Sequence, residues 1–122
     1  GYSALSTFWD NDPQKMYENI AQVTRDNVAT NKNIEAIIPT GTTAQNASTS
    51  SLGVNGIHRD SLHMNEVGRF IIGHTLVSKV FGVAPDAMTY KGEFAHYFDL
   101  AIESTANALA YPYQVTQATF NI

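Results

Sequence analysis

Two side chains with complementary chemistry, Asp60 and His63, lie three residues apart near the middle of the chain. At the entry to a helix, this spacing brings both side chains onto one side of a turn. A carboxylate that binds one imidazole nitrogen fixes the tautomer and stabilises the imidazolium, while the other nitrogen takes a proton from a nucleophile. The pair therefore predicts the carboxylate–histidine half of a Ser-His-Asp triad. A bare D-x-x-H is common, however, and the plainer interpretation is an aspartate that caps the helix.

The same region also allows a metal-site interpretation. His58, Asp60 and His63 form H-x-D-x-x-H, a set of side chains that could ligate zinc. The sequence offers no further obvious ligand, so we predict no metal and no other cofactor. Ser61 lies inside the motif but lacks the strand-to-helix elbow that exposes a nucleophile. His74 falls on the apolar face of a helix, which favours a core histidine.

Composition excludes several classes of protein. The 122 residues carry a net charge of −4 and no cysteine. A chain with this balance lacks the basic footprint of nucleic-acid binding. The missing thiols exclude disulfides and cysteine nucleophiles. Because no run approaches the roughly 20 apolar residues that span a bilayer, we expect neither nucleic acid nor a membrane among the partners.

The elements that would position the pair begin with a helix. Asp12 followed by Pro13 is typical of a helix start, with an N-cap acceptor and a proline at the first helical position. Before it, residues 1–11 predict a loop. The helix should run to about Thr30 and carry one apolar stripe on an otherwise polar surface, since apolar residues recur at helical spacing at Met16, Ile20 and Val23.

A strand and a long loop are predicted next. The β-branched run 34–38 predicts a buried parallel strand. Residues 39–59 are rich in Thr, Ser, Asn and Gly, which predicts a loop. This loop would follow the C-terminal end of the predicted strand, where open α/β sheets bind their ligands. Gln45 and Asn46 in this loop are therefore predicted to touch substrate, although polar loop filler fits them equally well. Arg59 is predicted either to bind a carboxylate or sugar hydroxyl of the substrate or to be solvated.

Two further helices complete the pattern. Residues 65–81 predict a helix that is apolar over much of its surface and so well buried, with Gly82 as its cap. Gly68 and Gly73 inside it each cost of order 1 kcal/mol relative to alanine, which close packing or a nearby site would explain. Residues 93–109 predict the last helix. Because one parallel strand cannot form a sheet, the chain is predicted to be the back part of a larger α/β domain.

A family resemblance gives the pair more weight. The run 60–68 resembles the last conserved block of the SGNH (GDSL-type) esterase and lipase superfamily, in which Asp and His belong to the triad. The segment 37–46, followed by Arg59 and the pair, is similar to one poorly characterised bacterial branch of that superfamily. Met64 stands where a proline is common. The Gly-Asp-Ser block that carries the nucleophile is not found, and neither are the blocks that supply the oxyanion hole.

The resemblance implies that residues 1–122 are the C-terminal portion of a single three-layer α/β/α domain with a parallel sheet, of the flavodoxin-like type. A serine in the absent N-terminal portion would attack the ester, with His63 as base and Asp60 orienting it, and without a cofactor. The implied substrate is a small ester or an acylated carbohydrate, in a secreted or periplasmic protein. This chain alone should be inactive, and the missing portion or a partner chain would complete the sheet.

Two other classes of protein stay open. The chain could be a non-catalytic module that binds a glycan through residues 39–59. Exposed aromatics around that stretch, and an Asp60–His63 pair out of contact, would favour this class. The chain could instead be an interaction domain that completes its sheet with another chain, which an unpaired strand 34–38 at an interface would favour.

Overall fold

The structure is a computed structural model that describes residues 12–60 and 63–120. The predicted loop 1–11 and Ser61 lie outside the described residues. A π-helical turn extends the first α-helix, and two 3-10 turns connect the last two. The α-helices in the described ranges are α1 (Pro13–Val23), α2 (Thr40–Ser48), α3 (Gly53–Ile57), α4 (Glu66–Phe81) and α5 (Phe98–Ala110). The π-helical turn is Thr24–Val28, and the 3-10 turns are Pro85–Ala87 and Gly92–Tyr97.

The predicted three-layer α/β/α fold with a parallel sheet is wrong. The described residues contain no strand, and their one strand-like pairing is an isolated antiparallel bridge between His58 and Met64. Residues 34–38, predicted as a buried strand, have no regular secondary structure, and Ile34 is 43% exposed. A strand needs a neighbour for its N–H and C=O groups, and no neighbouring strand forms within 12–60 or 63–120. The segment is therefore a connection between helices.

Helices α2, α4 and α5 pack against one another and form the core. Hydroxyl groups fill the centre of this contact. Thr75 Oγ1 on α4 lies 2.5 Å from Thr43 Oγ1 on α2 and 3.1 Å from Thr105 Oγ1 on α5. Because all three threonines are buried, each hydroxyl needs such a partner. The apolar members of the core are mostly small, and they are Ala44, Ala47, Ile57, Ile71, Leu100 and Ala101.

The predicted loop 39–59 folds instead as helices α2 and α3, joined by a short turn. Its threonines are weak helix formers, but two of them, Thr42 and Thr43, are buried in the core. Thr42 Oγ1 donates a hydrogen bond to the Pro112 carbonyl (2.5 Å) and lies 2.8 Å from the Tyr17 hydroxyl. These tertiary hydrogen bonds override the local preference of Ser, Thr and Asn for loops.

Helix α1 begins where the sequence predicts, because the Asp12 carboxylate accepts hydrogen bonds from two backbone N–H groups of the first turn. Its apolar stripe is largely exposed to solvent. Ile20 and Val23 are 54% and 53% exposed. The buried side chains of α1 are Tyr17 and Ala21, since the hydrogen bond of the tyrosine to α2 turns that face inward.

Helix α4 ends as predicted at Gly82, whose φ of 69° forms a left-handed cap. The prediction that this helix is well buried is wrong for its C-terminal half. Ile71 is buried near the middle of the helix, whereas Val80 and Phe81 are 55% and 74% exposed. None of the helices in the described ranges is long and apolar enough to cross a membrane.

Candidate active site: the Asp60–His63 loop

A short loop between α3 and α4 carries the Asp60 and His63 side chains. His63 Nδ1 lies 2.9 Å from Asp60 Oδ2 and 3.1 Å from Oδ1, and the His63 backbone N–H donates to Oδ1 at 2.6 Å. An ionised carboxylate can only accept, so the imidazole carries its proton on Nδ1 and leaves Nε2 as an acceptor. The structure thus brings together the two side chains whose spacing predicts a pair.

Both side chains of the pair are about half exposed, at 50% for Asp60 and 56% for His63. Exposed pairs of this kind contribute little to the free energy of folding, typically about 0–1 kcal/mol. The contact therefore matters mainly for the orientation and tautomer of the imidazole. A half-exposed ring can also be reached by a substrate.

Hydrogen bonds close the base of this loop. The Arg59 N–H donates to the His63 carbonyl (3.0 Å), and the Asn65 N–H donates to the Ile57 carbonyl (2.9 Å). The Asn65 side chain adds two more bonds. Its Oδ1 accepts from a backbone N–H in the first turn of α4 at 2.8 Å, and its Nδ2 donates to the Gly56 carbonyl at 2.9 Å. One asparagine therefore joins the end of α3 to the start of α4 and fixes both ends of the loop.

Gly68 lets helix α4 approach the loop closely. A Cβ at this position would lie 2.3 Å from the Ile57 carbonyl oxygen and 2.9 Å from Met64 Sδ. The first of these atoms belongs to the backbone, so a change of side-chain rotamer could not relieve the overlap. This contact explains a glycine that is otherwise unfavourable in a helix. Met64, which stands where a proline is common in the resembled block, is partly buried against the core.

The three residues predicted to touch substrate have different surroundings. Asn46 is buried on α2, where its Nδ2 donates to the Ser104 carbonyl (3.2 Å) and its Oδ1 accepts from the Thr116 N–H (2.7 Å). Both ends of its amide thus hold α2 against α5 and the C-terminal segment, which does not support a role in substrate binding. Gln45 is half-buried on the same helix, and Arg59 is exposed in the loop. For these two residues the substrate role stays a prediction.

The geometry gives no support to a zinc site at H-x-D-x-x-H. His58 Nδ1 lies 2.7 Å from the Val54 carbonyl oxygen, which occupies that nitrogen. No three metal-ligating side chains come together among the described residues, and this set includes His58, Asp60 and His63. His58, Asp60 and His63 therefore do not form a three-residue metal site in the described part of the chain.

Asn65 is the positioning residue that the sequence prediction missed. The sequence does signal its role as the N-cap of α4, because an Asn directly before an apolar periodic run marks an N-cap. The other half, the bond from its Nδ2 to Gly56, has no local signal. It depends on how α3 and α4 meet in the folded chain.

Comparison with known proteins gives a family and a similar structure. A family model described as "Domain of unknown function (DUF4886)" matches residues 3–110. The chain is similar to the solved structure of a DUF4886 family protein from Bacteroides uniformis ATCC 8492, with 28% sequence identity and a TM-score of 0.83. The match covers 96% of this chain and 46% of the other, so the chain spans about half the length of that relative. No curated protein matches the chain.

Proposed function

Because the chain belongs to the DUF4886 family, we propose that in this family member the Asp60–His63 loop is the carboxylate–imidazole part of a serine-esterase site. The observation that carries the proposal is the 2.9 Å contact between His63 Nδ1 and Asp60 Oδ2. This contact leaves Nε2 as the ring nitrogen that can accept a proton, as a general base requires. The resemblance of residues 60–68 to the last conserved SGNH block supports the same activity.

In the proposed reaction, a serine hydroxyl attacks the acyl carbon of an ester while His63 Nε2 takes the hydroxyl proton. Asp60 holds the Nδ1 proton in a hydrogen bond and stabilises the imidazolium. The imidazolium then gives its Nε2 proton to the leaving alcohol. Water attacks the acyl-enzyme with His63 again as the base, which releases the acid and restores the serine. The implied substrate is a small ester or an acylated carbohydrate.

We assign the nucleophile to the part of the solved relative that this chain does not match. The chain spans 46% of the solved relative, and it contains neither Gly-Asp-Ser nor Gly-Asn-Ser. A serine and oxyanion donors from the remaining half would complete the site. The 122-residue chain alone should then be inactive, since loss of these groups removes most of the rate acceleration.

Two observations favour the esterase over a glycan-binding module. The Asp60–His63 pair is in contact, as a catalytic pair must be. Residues 40–48 and 53–57 are helices rather than an open binding loop, and Thr42 and Thr43 of α2 are buried in the core.

Hydrolysis of p-nitrophenyl acetate tests the proposal. The whole Bacteroides uniformis relative and the 122-residue chain are assayed side by side. The proposal requires a histidine in the relative at the position that superimposes on His63. We expect turnover by the relative and a loss on the order of 10³-fold or more when that histidine is replaced by alanine. We expect the isolated chain to show no turnover above that of its own His63→Ala variant.

Labelling with a fluorophosphonate detects an activated serine whatever the natural ester is. The relative should be labelled, and the histidine substitution should abolish the labelling. Turnover that survives the substitution, or a relative that is neither active nor labelled, would contradict the proposal. Turnover by the isolated chain that His63→Ala abolishes would place the nucleophile within these 122 residues.

A further inference from the structure

The connection between α1 and α2 contains three consecutive residues whose backbone groups are unpaired. On either side of them, the Ile34 N–H donates to the Asn31 carbonyl (3.0 Å), and the Thr40 N–H donates to the Ile38 carbonyl (2.8 Å). Between these bonds, the N–H and C=O groups of residues 35–37 form no backbone hydrogen bond within the described ranges. A row of free N–H and C=O groups at a surface is a template for pairing with another polypeptide segment.

Two cavities adjoin these residues, and both have Ile37 and Pro39 in their walls. The first, of about 270 Å³, extends to Ile34, and the second, of about 330 Å³, extends to Ile20 on α1. Both volumes lie near the lower limit of about 300 Å³ for small-molecule sites, so they suit single side chains better than a ligand. Residues 34–37 and the two cavities together are called the Ile37 face below.

The side chains of the Ile37 face are more exposed than their types predict. Ile20 and Ile34 are 54% and 43% exposed, and Ile37 is half-buried. A β-branched run such as 34–38 is typical of a segment that is buried in the complete protein. Exposed apolar groups that lie side by side mark a surface at which another part of a protein binds.

The charges of the Ile37 face indicate a polypeptide as its partner. The charged residues among those that line the two cavities are Glu35 and Lys79, which have opposite signs. Neither forms an ion pair with the described residues. Nucleic acids and anionic membranes are bound by clusters of basic residues, which this face lacks. Free backbone groups beside small apolar cavities fit a peptide segment, because both its backbone and its side chains can be bound.

The solved DUF4886 relative identifies which polypeptide this is. The match covers 96% of this chain with a TM-score of 0.83, but only 46% of the relative. More than half of the relative therefore has no counterpart in this chain. That part is covalently joined to the matched part, so its effective concentration at any complementary face is high.

We infer that the Ile37 face binds the part of a DUF4886 protein that this chain does not match. Backbone groups of that part pair with the N–H and C=O groups of residues 35–37, and its apolar side chains occupy the two cavities. The inference rests on the family and on the unpaired face, and it does not require the esterase chemistry. Docking and hydrolysis can therefore fail separately.

Hydrogen–deuterium exchange of the isolated 122-residue chain and of the whole relative tests the inference. We expect the amides of residues 35–37 to exchange rapidly in the isolated chain. At the superimposed positions of the whole relative, exchange should be slower by a factor on the order of 100 or more, after correction for sequence. The matched control is residues 89–91, which are also exposed and whose N–H groups also form no backbone bond within the described ranges. Their exchange should be rapid in both proteins.

An acidic substitution tests the side-chain part of the contact. The inference requires an apolar residue in the relative at the position that superimposes on Ile37. Replacing that residue by Asp should lower the Tm of the relative by about 5 °C or more, because a charge would be buried in the contact. Ile37→Asp in the isolated chain is the control, and it should lower the Tm by less than half as much, because Ile37 is only half-buried there.

Four results would overturn the inference. The first is rapid exchange at the superimposed positions in the whole relative. The second is equal protection of the positions that superimpose on residues 89–91, because the slowing would then not be particular to the Ile37 face. The third is an equal fall in Tm for the two Asp variants. The fourth is protection of residues 35–37 already in the isolated chain, which would assign the face to the chain itself or, if sedimentation velocity shows a dimer, to a second copy.

Discussion

The two ends of helix α4 differ in how completely the chain surrounds them. Near the N-terminus, Gly68 is buried, and a Cβ there would lie 2.3 Å from a backbone oxygen. Five residues later, Gly73 has no atom within 4 Å of its own Cβ position, and beyond it Val80 and Phe81 are 55% and 74% exposed. The two glycines of α4 therefore have opposite surroundings: close backbone packing at Gly68 and open space at Gly73. The first turn is packed against the Asp60–His63 loop, whereas the later turns leave an apolar surface available to a ligand or partner.

The largest effect is expected from Gly68→Ala, which disturbs the packed N-terminal end of α4. The new methyl group overlaps the Ile57 carbonyl, so α4 and the loop must move apart. We expect a loss of about 3 kcal/mol in the free energy of unfolding, at the upper end for overpacking, measured by urea denaturation. A variant as stable as the parent would show that α4 does not approach α3 as closely as 2.3 Å implies.

Thr75→Val tests the core that both ends of α4 share. The substitution keeps the shape but removes the hydroxyl that bridges Thr43 and Thr105. Leaving buried polar groups with fewer partners costs about 1–3 kcal/mol, and we expect about 2 kcal/mol in urea denaturation. Thr89→Val, at an exposed position, is the control and should change stability by less than about 0.5 kcal/mol. Equal effects of the two substitutions would mean that the hydroxyl chain does not stabilise the core.

The buried Tyr17 side chain allows a test of the packing between α1 and α2. Burial raises the pKa of the Tyr17 phenol above 10.0, and the hydrogen bond with Thr42 is a smaller, opposing influence. The unfolded chain therefore loses this proton at lower pH than the folded chain. The stability that this group contributes is present below about pH 10 and is lost as the pH rises through the raised pKa.

Urea denaturation between about pH 9 and pH 11 measures this dependence. We expect the free energy of unfolding to fall with pH less steeply in Tyr17→Phe than in the parent chain. Tyr111→Phe removes an exposed phenol and should leave the slope as it is in the parent. A slope that Tyr17→Phe does not change would contradict the burial of this hydroxyl.

The smallest change in the free energy of unfolding is expected at Gly73, where α4 is less closely packed. Gly73→Ala adds a methyl group that meets no neighbour and improves helix propensity, so it should raise the free energy of unfolding by up to about 1 kcal/mol. Together with Gly68→Ala it forms a matched pair, since the same change is made twice in one helix. A destabilising Gly73→Ala would show that the space above this glycine is filled by the chain itself.

Local chemistry made the ends of the helices predictable. Asp12 and Gly82 act as caps because a carboxylate or a left-handed glycine works through the few residues beside it. Burial was not predictable in the same way. Residues 40–48 look like a polar loop, yet they form a core helix, because their hydroxyls find partners on α4 and on the segment after α5. These partners are 32 or more residues away in the chain.

The candidate site shows the same division between local and distant interactions. The Asp60–His63 contact spans three residues, and their spacing predicts it. The role of Asn46 was not predictable, because its amide is used by Ser104 and Thr116, 58 and 70 residues further along the chain. The predicted strand 34–38 failed for a related reason. A β-branched run indicates a strand only where another strand lies beside it, and the described residues provide none.

The most direct test of the central claim is the tautomer of His63, read from long-range ¹H–¹⁵N correlations on the neutral imidazole. We predict that Nδ1 is protonated and Nε2 is bare in the parent chain, because Nδ1 donates to Asp60. We also predict that Asp60→Ala removes this preference. A ring protonated on Nε2 in the parent chain, or the same tautomer in both proteins, would contradict the assignment of this pair as a base and its orienting carboxylate.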